Sequence, residues 1–169
     1  DNTVRVWDMQ GNQLAVCRGH EGAARSVCVT QDGKIVSASD DKTVRVWDMQ
    51  GNVLAVCRGH EDRVWSVCVT HDGKIISGSW DDTVRVWDMQ GNQLAVCRGH
   101  EDAVLSVCVT KDGKIVSGSE DNTVGVWDMQ GTELAVCRGH EDAVWSVCVT
   151  HDGKIVSGSE DNTVGVWDM

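Results

Sequence analysis

The 169-residue sequence lacks most of the features that would place it among membrane, secreted or nucleic-acid-binding proteins. No apolar run approaches the roughly 18–20 residues that a membrane-spanning helix needs, so no membrane partner is expected. The opening Asp1-Asn2-Thr3 is polar and shows neither the basic nor the apolar stretch of a signal or transit peptide. Cations are scarce: 15 Lys and Arg against 26 Asp and Glu leave a formal charge of −11. Such a balance does not supply the broad basic surface that phosphate backbones require, and nucleic acid is not an expected partner. Helical patterning is missing too, because no long apolar face recurs every 3.6 residues and glycine and β-branched residues interrupt every segment. There is no C-x-x-C pair among the eight cysteines, Cys17, Cys28, Cys57, Cys68, Cys97, Cys108, Cys137 and Cys148. Without metal-ligand spacing they read as small buried apolar residues in a reduced, cytoplasmic setting, and no metal or other cofactor is expected.

What is present is repetition. Val-Cys-Arg-Gly-His recurs at Val16–His20, Val56–His60, Val96–His100 and Val136–His140, always 40 residues apart. Val-Trp-Asp begins at Val6, Val46, Val86, Val126 and Val166 on the same period. Segments 97–129 and 137–169 differ only at Leu105 against Trp145 and Lys111 against His151. Within one period four short β-rich runs alternate with turn residues. Val27-Cys28-Val29 ends at Asp32-Gly33, and Ile35–Ser39 ends at Asp40-Asp41-Lys42. Thr43–Asp48 runs to Gly51, and Leu54–Cys57 is closed by Gly59. Four strands in 40 residues with loops this short make an antiparallel meander, so the chain is all-β. A lone four-stranded sheet leaves both faces wet, whereas copies stacked around an axis cover one another and keep only short edges.

The Gly-His and Trp-Asp landmarks, repeated in register over the whole chain, resemble the WD-repeat β-propeller family. That resemblance implies blades of four strands, a (innermost) to d (outermost), with a near residues 63–70, b near 73–80, c near 83–89 and d near 92–98. The chain then reads as one array: a partial blade over 1–20 (strands c and d), repeats at 21–60, 61–100 and 101–140, and a partial repeat at 141–169 (strands a to c). The family's structural tetrad maps onto His20, Ser37, Asp41 and Trp47. Its later copies are His60, Ser77, Asp81 and Trp87; His100, Ser117, Asp121 and Trp127; and His140, Ser157, Asp161 and Trp167. The physical logic is closure of buried polar groups, since indole N–H only donates, carboxylate only accepts, and Ser and His do both. A Ser/His/Asp set also invites a hydrolase reading, but a hydrolase needs one exposed nucleophile beside oxyanion donors. Four equal copies with the serine inside a strand do not fit, and no enzyme activity is expected. His71 and His151 fall in a–b turns and are expected to face solvent.

The sequence departs from the family pattern in three respects: proline is absent from the a–b turns, Gly22 replaces the aspartate at Asp62, Asp102 and Asp142, and strand c carries Gly125 and Gly165 where it has Arg5, Arg45 and Arg85 earlier. A looser first inter-blade loop and weaker later blades are expected from the two glycine substitutions. The chain holds four periods plus a surplus strand c, and four such wide blades should not close alone. It reads either as an excerpt or engineered piece of a longer array, beginning mid-blade without Met, or as half of a ring of about eight blades completed by a second copy.

Copies this similar put the information where they differ. Arg25, Arg63, Trp65, Leu105 and Trp145 lie at strand a starts, and Trp80, Glu120 and Glu160 stand just before the tetrad aspartates. Both sets fall on one rim of the propeller, the usual partner-docking face in the family, and Trp and Arg are enriched at interface hot spots. The expectation is a protein- or peptide-binding scaffold with these eight residues as its binding patch; the alternative is a structural or designed self-assembling propeller fragment without a native ligand.

Overall fold

A computed structural model describes residues 1–168; Met169, at the end of the last expected strand c, lies outside them. The chain opens with a two-stranded sheet, β1 (Val4–Trp7) and β2 (Gln13–Cys17). Three complete four-stranded antiparallel sheets follow. The first is β3 (Ala24–Val29), β4 (Ile35–Ser39), β5 (Thr43–Trp47) and β6 (Val53–Arg58). Next come β7 (Val64–Val69), β8 (Ile75–Ser79), β9 (Val84–Trp87) and β10 (Gln93–Cys97), and then β11 (Val104–Val109), β12 (Ile115–Ser119), β13 (Val124–Trp127) and β14 (Glu133–Cys137). A three-stranded sheet closes the series: β15 (Val144–Val149), β16 (Ile155–Ser159) and β17 (Val164–Trp167). No helix occurs among the described residues. The all-β meander expected from the repeats, with strands a to d in that order, is therefore what forms.

Turn chemistry fixes each corner. At the a–b turn Thr30 Oγ1 donates to Asp32 Oδ1, and the Gly33 N–H donates to Thr30 O at 3.0 Å. The b–c turns place Lys42, Asp82, Asn122 and Asn162 at φ between 64° and 69°, a left-handed conformation that Asn and Asp tolerate best. At the c–d turn Asp48 Oδ1 accepts from the N–H groups of Gln50 and Asn52. Gly51 follows at φ 90°, where a Cβ would also come within 2.6 Å of Val16 O on the preceding sheet. Only glycine satisfies both the dihedral and the close approach.

The core lies between sheets. Val36, Ala38, Val44, Val46, Ala55 and Cys57 of one sheet pack on Val64, Val67, Ile75 and Trp87 of the next. The pattern repeats with Ile76, Val84 and Val86 against Val104, Val107 and Ile115, and with Val116, Val124 and Val126 against Val144, Val147 and Ile155. Along the inner strands a hydrogen-bonded stitch joins neighbours: Val67 N–H donates to Ser26 Oγ, Val107 N–H to Ser66 Oγ and Val147 N–H to Ser106 Oγ, at 3.1–3.2 Å. The sheets form an open arc. On β3, Val27 is 56% exposed where its counterparts Val67, Val107 and Val147 are buried, and on β17 Val164 is 70% exposed where Val44, Val84 and Val124 are buried. The first inter-blade loop keeps its backbone tie, Ser39 Oγ to Gly22 O at 3.0 Å, matching Ser79 Oγ to Asp62 O at 3.1 Å. It loses only the cap that Asp62 Oδ1 gives the Arg63 N–H.

Candidate functional site: the tetrads and the variable rim

All four tetrads assemble with the same geometry. In the first, Trp47 Nε1–H donates to Ser37 Oγ at 2.8 Å, and Ser37 Oγ lies 2.7 Å from His20 Nε2. His20 Nδ1 lies 2.8 Å from Asp41 Oδ2. The chain of donors closes if Ser37 gives its proton to Nε2 and His20 carries its own on Nδ1. The Glu21 N–H also reaches Asp41 Oδ2, and the Thr43 N–H and hydroxyl serve Oδ1. Burial alone would raise the Asp41 pKa, but the hydrogen bonds from Thr43, His20 and Glu21 outweigh it and hold the carboxyl at about 2. Burial pushes the imidazoles of His20 and His60 below their ordinary value against the pull of Asp41 and Asp81. The network thus holds a neutral histidine beside a charged aspartate.

The distances within Ser37, His20 and Asp41 are those of a nucleophilic triad, yet the chemistry differs. Ser37, Ser77 and Ser117 have no exposed surface, and a tryptophan N–H already occupies an oxygen lone pair on each. A substrate carbonyl has no approach to these oxygens. The tetrad ties the d–a loop (His20) to strands b and c of its blade, and its edge-on His–Trp contacts, with centroids 5.6–5.8 Å apart, fill the space between.

The variable residues are gathered by an irregularity the sequence does not display. Each a–b ladder shifts register between Ala24 and Ser26, Val64 and Ser66, Val104 and Ser106, and Val144 and Ser146. Arg25, Trp65, Leu105 and Trp145 are therefore bulge residues released from pairing, and all but Leu105 turn to the rim. The residue just after each strand b is tied to the same place by a backbone bond, such as Trp80 N–H to Arg63 O at 3.0 Å and Glu160 N–H to Ala143 O at 2.9 Å.

On one half of the rim Trp65 and Trp80 stack, with centroids 5.6 Å apart and planes 22° apart. Arg25 lies over Trp65 at 4.7 Å and Arg63 over Trp80 at 5.1 Å, extending the stack at both ends. Asp40 takes Arg25 in a two-pronged pair, with Nε to Oδ1 at 2.8 Å. The Arg25 hydrogen bond outweighs burial to lower the Asp40 pKa, and the charges of Arg25 and Arg63 add to it. On the other half Trp145, 46% exposed, donates its indole N–H to Glu160 at 3.0 Å. Glu120 is raised above its ordinary pKa by burial and by the charges of Asp102 and Glu160. The rim is cationic and aromatic on one side and acidic on the other.

One expected patch residue is corrected. Leu105 is 3% exposed and packs with Ala103 and Ala143 in a small apolar cluster that Trp65 also touches. Its bulge turns it into the space between neighbouring blades, where an aliphatic chain gains more from burial than from solvent. It supports the rim from beneath and is not part of the surface. Arg25, Arg63, Trp65, Trp80, Glu120, Trp145 and Glu160 do lie on that face, with Trp65 half-buried. Asp40 belongs with them, and the Arg25 opposite it at a strand a start was the signal for it.

This arrangement defines a repeat propeller built from one supersecondary unit. Residues 11–48, 51–88, 91–128 and 131–168 each match the family described as WD domain, G-beta repeat, and the chain belongs to that family. Among solved structures it is similar to the WD40 β-propeller domain of Doa1, with a TM-score of 0.90 and 31% identity over 99% of this chain and 58% of that one. It is also similar to two computationally designed proteins. Ika8 gives a TM-score of 0.89 and 33% identity over the whole of this chain and 53% of its own. Ika4 gives 0.85 and 32% identity over 94% of this chain and 99% of its own. A stretch of 43 residues is 44% identical to the nuclear distribution protein PAC1 of Yarrowia lipolytica (strain CLIB 122 / E 150), spanning 25% of this chain and 10% of that protein. WD40 propeller domains generally mediate protein interactions and are generally not enzymes.

Proposed function

We propose that the chain is a non-enzymatic protein- or peptide-binding platform that engages its partner through the variable rim. The observation that carries this reading is the division of labour within each repeat. The same four residue types close every tetrad, while the copies differ at the bulges and at neighbouring positions, which expose Trp80, Trp145 and Arg63 together on one face. Arg25 is already neutralised by Asp40, whereas Arg63 has no ion-pair partner among the described residues, and Glu120 and Glu160 supply acids on the other half. A partner segment with an acidic group near Arg63 and a basic one near Glu120 fits this polarity. Eight free thiols suit a reducing, cytoplasmic setting for it. The test is a peptide array followed by titration of the Trp80→Ala, Trp145→Ala, Arg63→Ala triple variant. Trp65 is left intact because it packs on Leu105. Native circular dichroism with binding lost supports the reading; native circular dichroism with affinity unchanged refutes it.

A second reading concerns assembly, favoured by the exposed valines. The bare leading face (Val164 and Val166) and the bare trailing face (Val27 and Val29) correspond to the two halves of the contact that the interior sheets make with one another. The complement of each is therefore present on another copy of this chain. In a two-chain ring, β15 and β16 of one copy would align with β2 of the other, and β1 or β17 would supply strand c. Sedimentation equilibrium with wild type and Val164→Asp tests it: a dimer that the variant converts to monomer is expected, and a wild-type monomer at all concentrations refutes it.

A further inference from the structure

Strand c carries arginine in some sheets and glycine in others, and the filled copies show what the empty ones have lost. In the second sheet Arg85 is almost wholly buried. Its Nε donates to Thr83 Oγ1 at 3.3 Å, its Nη1 donates to Gln93 Oε1 at 2.7 Å, and Nη2 lies 3.5 Å from Asp81 Oδ2. The Gly59 backbone passes so close that a Cβ there would stand 2.8 Å from Nη1, with the Trp87 ring edge beside it at 3.2 Å. In the first sheet Val53 stands in place of the glutamine that accepts from Nη1, and the buried Arg45 Nε, whose counterpart in Arg85 donates to Thr83, has no partner.

In the third sheet Gly125 removes the arginine, and a pocket of about 60 Å³ opens, lined among others by Gly99, Asp121, Thr123, Gly125, Trp127 and Glu133. Five of these are the forty-residue counterparts of Gly59, Asp81, Thr83, Arg85 and Trp87. The sixth stands where Gln93 does and turns a neutral acceptor into a carboxylate. Glu133 Oε2 leans toward Gly99, to within 2.6 Å of where a Cβ would sit, just as Arg85 Nη1 approaches Gly59. His100, Glu101 and Arg138 also face the pocket. His100 is engaged by Ser117 and Asp121. Arg138 is not the replacement cation, because its counterpart Arg98 is present in the sheet where Arg85 fills the same space.

We propose that this pocket is a vacated guanidinium site that binds an arginine side chain presented by a partner peptide. Glu133 and Asp121 are the charged acceptors and Thr123 the neutral one. Fixed, planar, forked donors match such a set better than an ammonium does. The site lies beside strand d, away from the bulge residues, and does not depend on the rim reading. The fourth sheet has Gly165 but no strand d among the described residues, so the proposal is confined to the third.

The second sheet is a built-in control. Blocked arginine (N-acetyl-arginine methylamide) is titrated into the ¹⁵N-labelled chain, with the lysine and citrulline analogues alongside. Saturable shifts are expected at the Gly99 and Gly125 amides and not at Gly59, with lysine weaker and citrulline weakest. Glu133→Gln recreates the second sheet's acceptor and should weaken arginine binding roughly tenfold, the difference between a charged and a neutral hydrogen-bond partner. Gly125→Arg should fill the pocket and abolish binding. A Cβ at 125 meets the Trp127 ring at 2.7 Å, so that variant requires the ring to yield; if it does not fold, Glu133→Gln decides alone. Equal binding of citrulline, equal shifts at Gly59, no saturable shift at Gly99 and Gly125, or Glu133→Gln binding as tightly as wild type each overturn the proposal.

Discussion

Ser77→Ala is the sharpest probe of the tetrad. The Ser77 hydroxyl is fully buried, accepts from Trp87 Nε1–H at 2.8 Å and lies 2.7 Å from His60 Nε2. Alanine removes one oxygen and leaves two buried polar groups without a partner, in a space too tight for water. An unsatisfied buried group costs about 1–3 kcal/mol, so the pair should cost about 3–4 kcal/mol. With a urea slope of about 2 kcal/mol/M, the unfolding midpoint should fall by about 1.5–2 M. Ser157→Ala makes the same chemical change in the last sheet, where Trp167 and Thr163 are partly open to solvent. Water can replace the lost partner there, and the cost should be about half or less. Urea unfolding followed by tryptophan fluorescence measures both. Equal losses for the two variants, or a Ser77→Ala loss under about 0.5 kcal/mol, would refute the argument that desolvation makes the tetrad matter.

The tetrads should lose stability with acid, while Asp82 and Glu120, whose pKa values are raised, contribute in the opposite direction. His20 and His60 have lowered pKa values, so the unfolded chain takes up more protons as pH drops below the ordinary histidine value of 6.5. Asp41, held at about 2 against 3.8, adds a further loss of about 2 kcal/mol as pH falls through that window; a chain as stable at pH 2 as at pH 7 in thermal melts would contradict the sign. Val53→Gln should give the Arg45 Nη1 the acceptor that Arg85 Nη1 has in Gln93 and stabilise the chain by about 0.5–1 kcal/mol in urea unfolding. A thiol reagent should modify the exposed Cys148 well before Cys57, Cys97 and Cys108, whose burial pushes them up to about 12; mass mapping of the native protein reads the order, and simultaneous labelling would argue against the packed inter-sheet core.

The repeat period and its landmark pairs made the fold readable, because each blade satisfies the same local rules: Asp-Gly at the a–b turn, Asp followed by Lys, Asp or Asn at the b–c turn, a β-branched strand c. The tetrads were readable for the same reason, their donors and acceptors being complementary in type before any geometry was known. The orientation of the bulge residues was not. Alternation along a strand assigns Leu105 and Trp145 the same environment, and so does their shared register shift; Leu105 is sealed by Ala143 of the next blade, whereas no described blade follows Trp145. The pocket beside Gly125 was hidden in a different way. Glycine there reads as a weakened strand, and its meaning appears only when Arg85 shows what the space can hold.

The serine stitches between inner strands run in one direction, each hydroxyl serving the next blade's amide, and Ser146 has no recipient among the described residues. A row of like couplings without a return link behaves as a short one-dimensional lattice. Melting should advance from the outer sheets inward. Amide exchange should then be slowest in the middle two sheets, and a mutation's effect should scale with its distance from the margin more than with its chemistry.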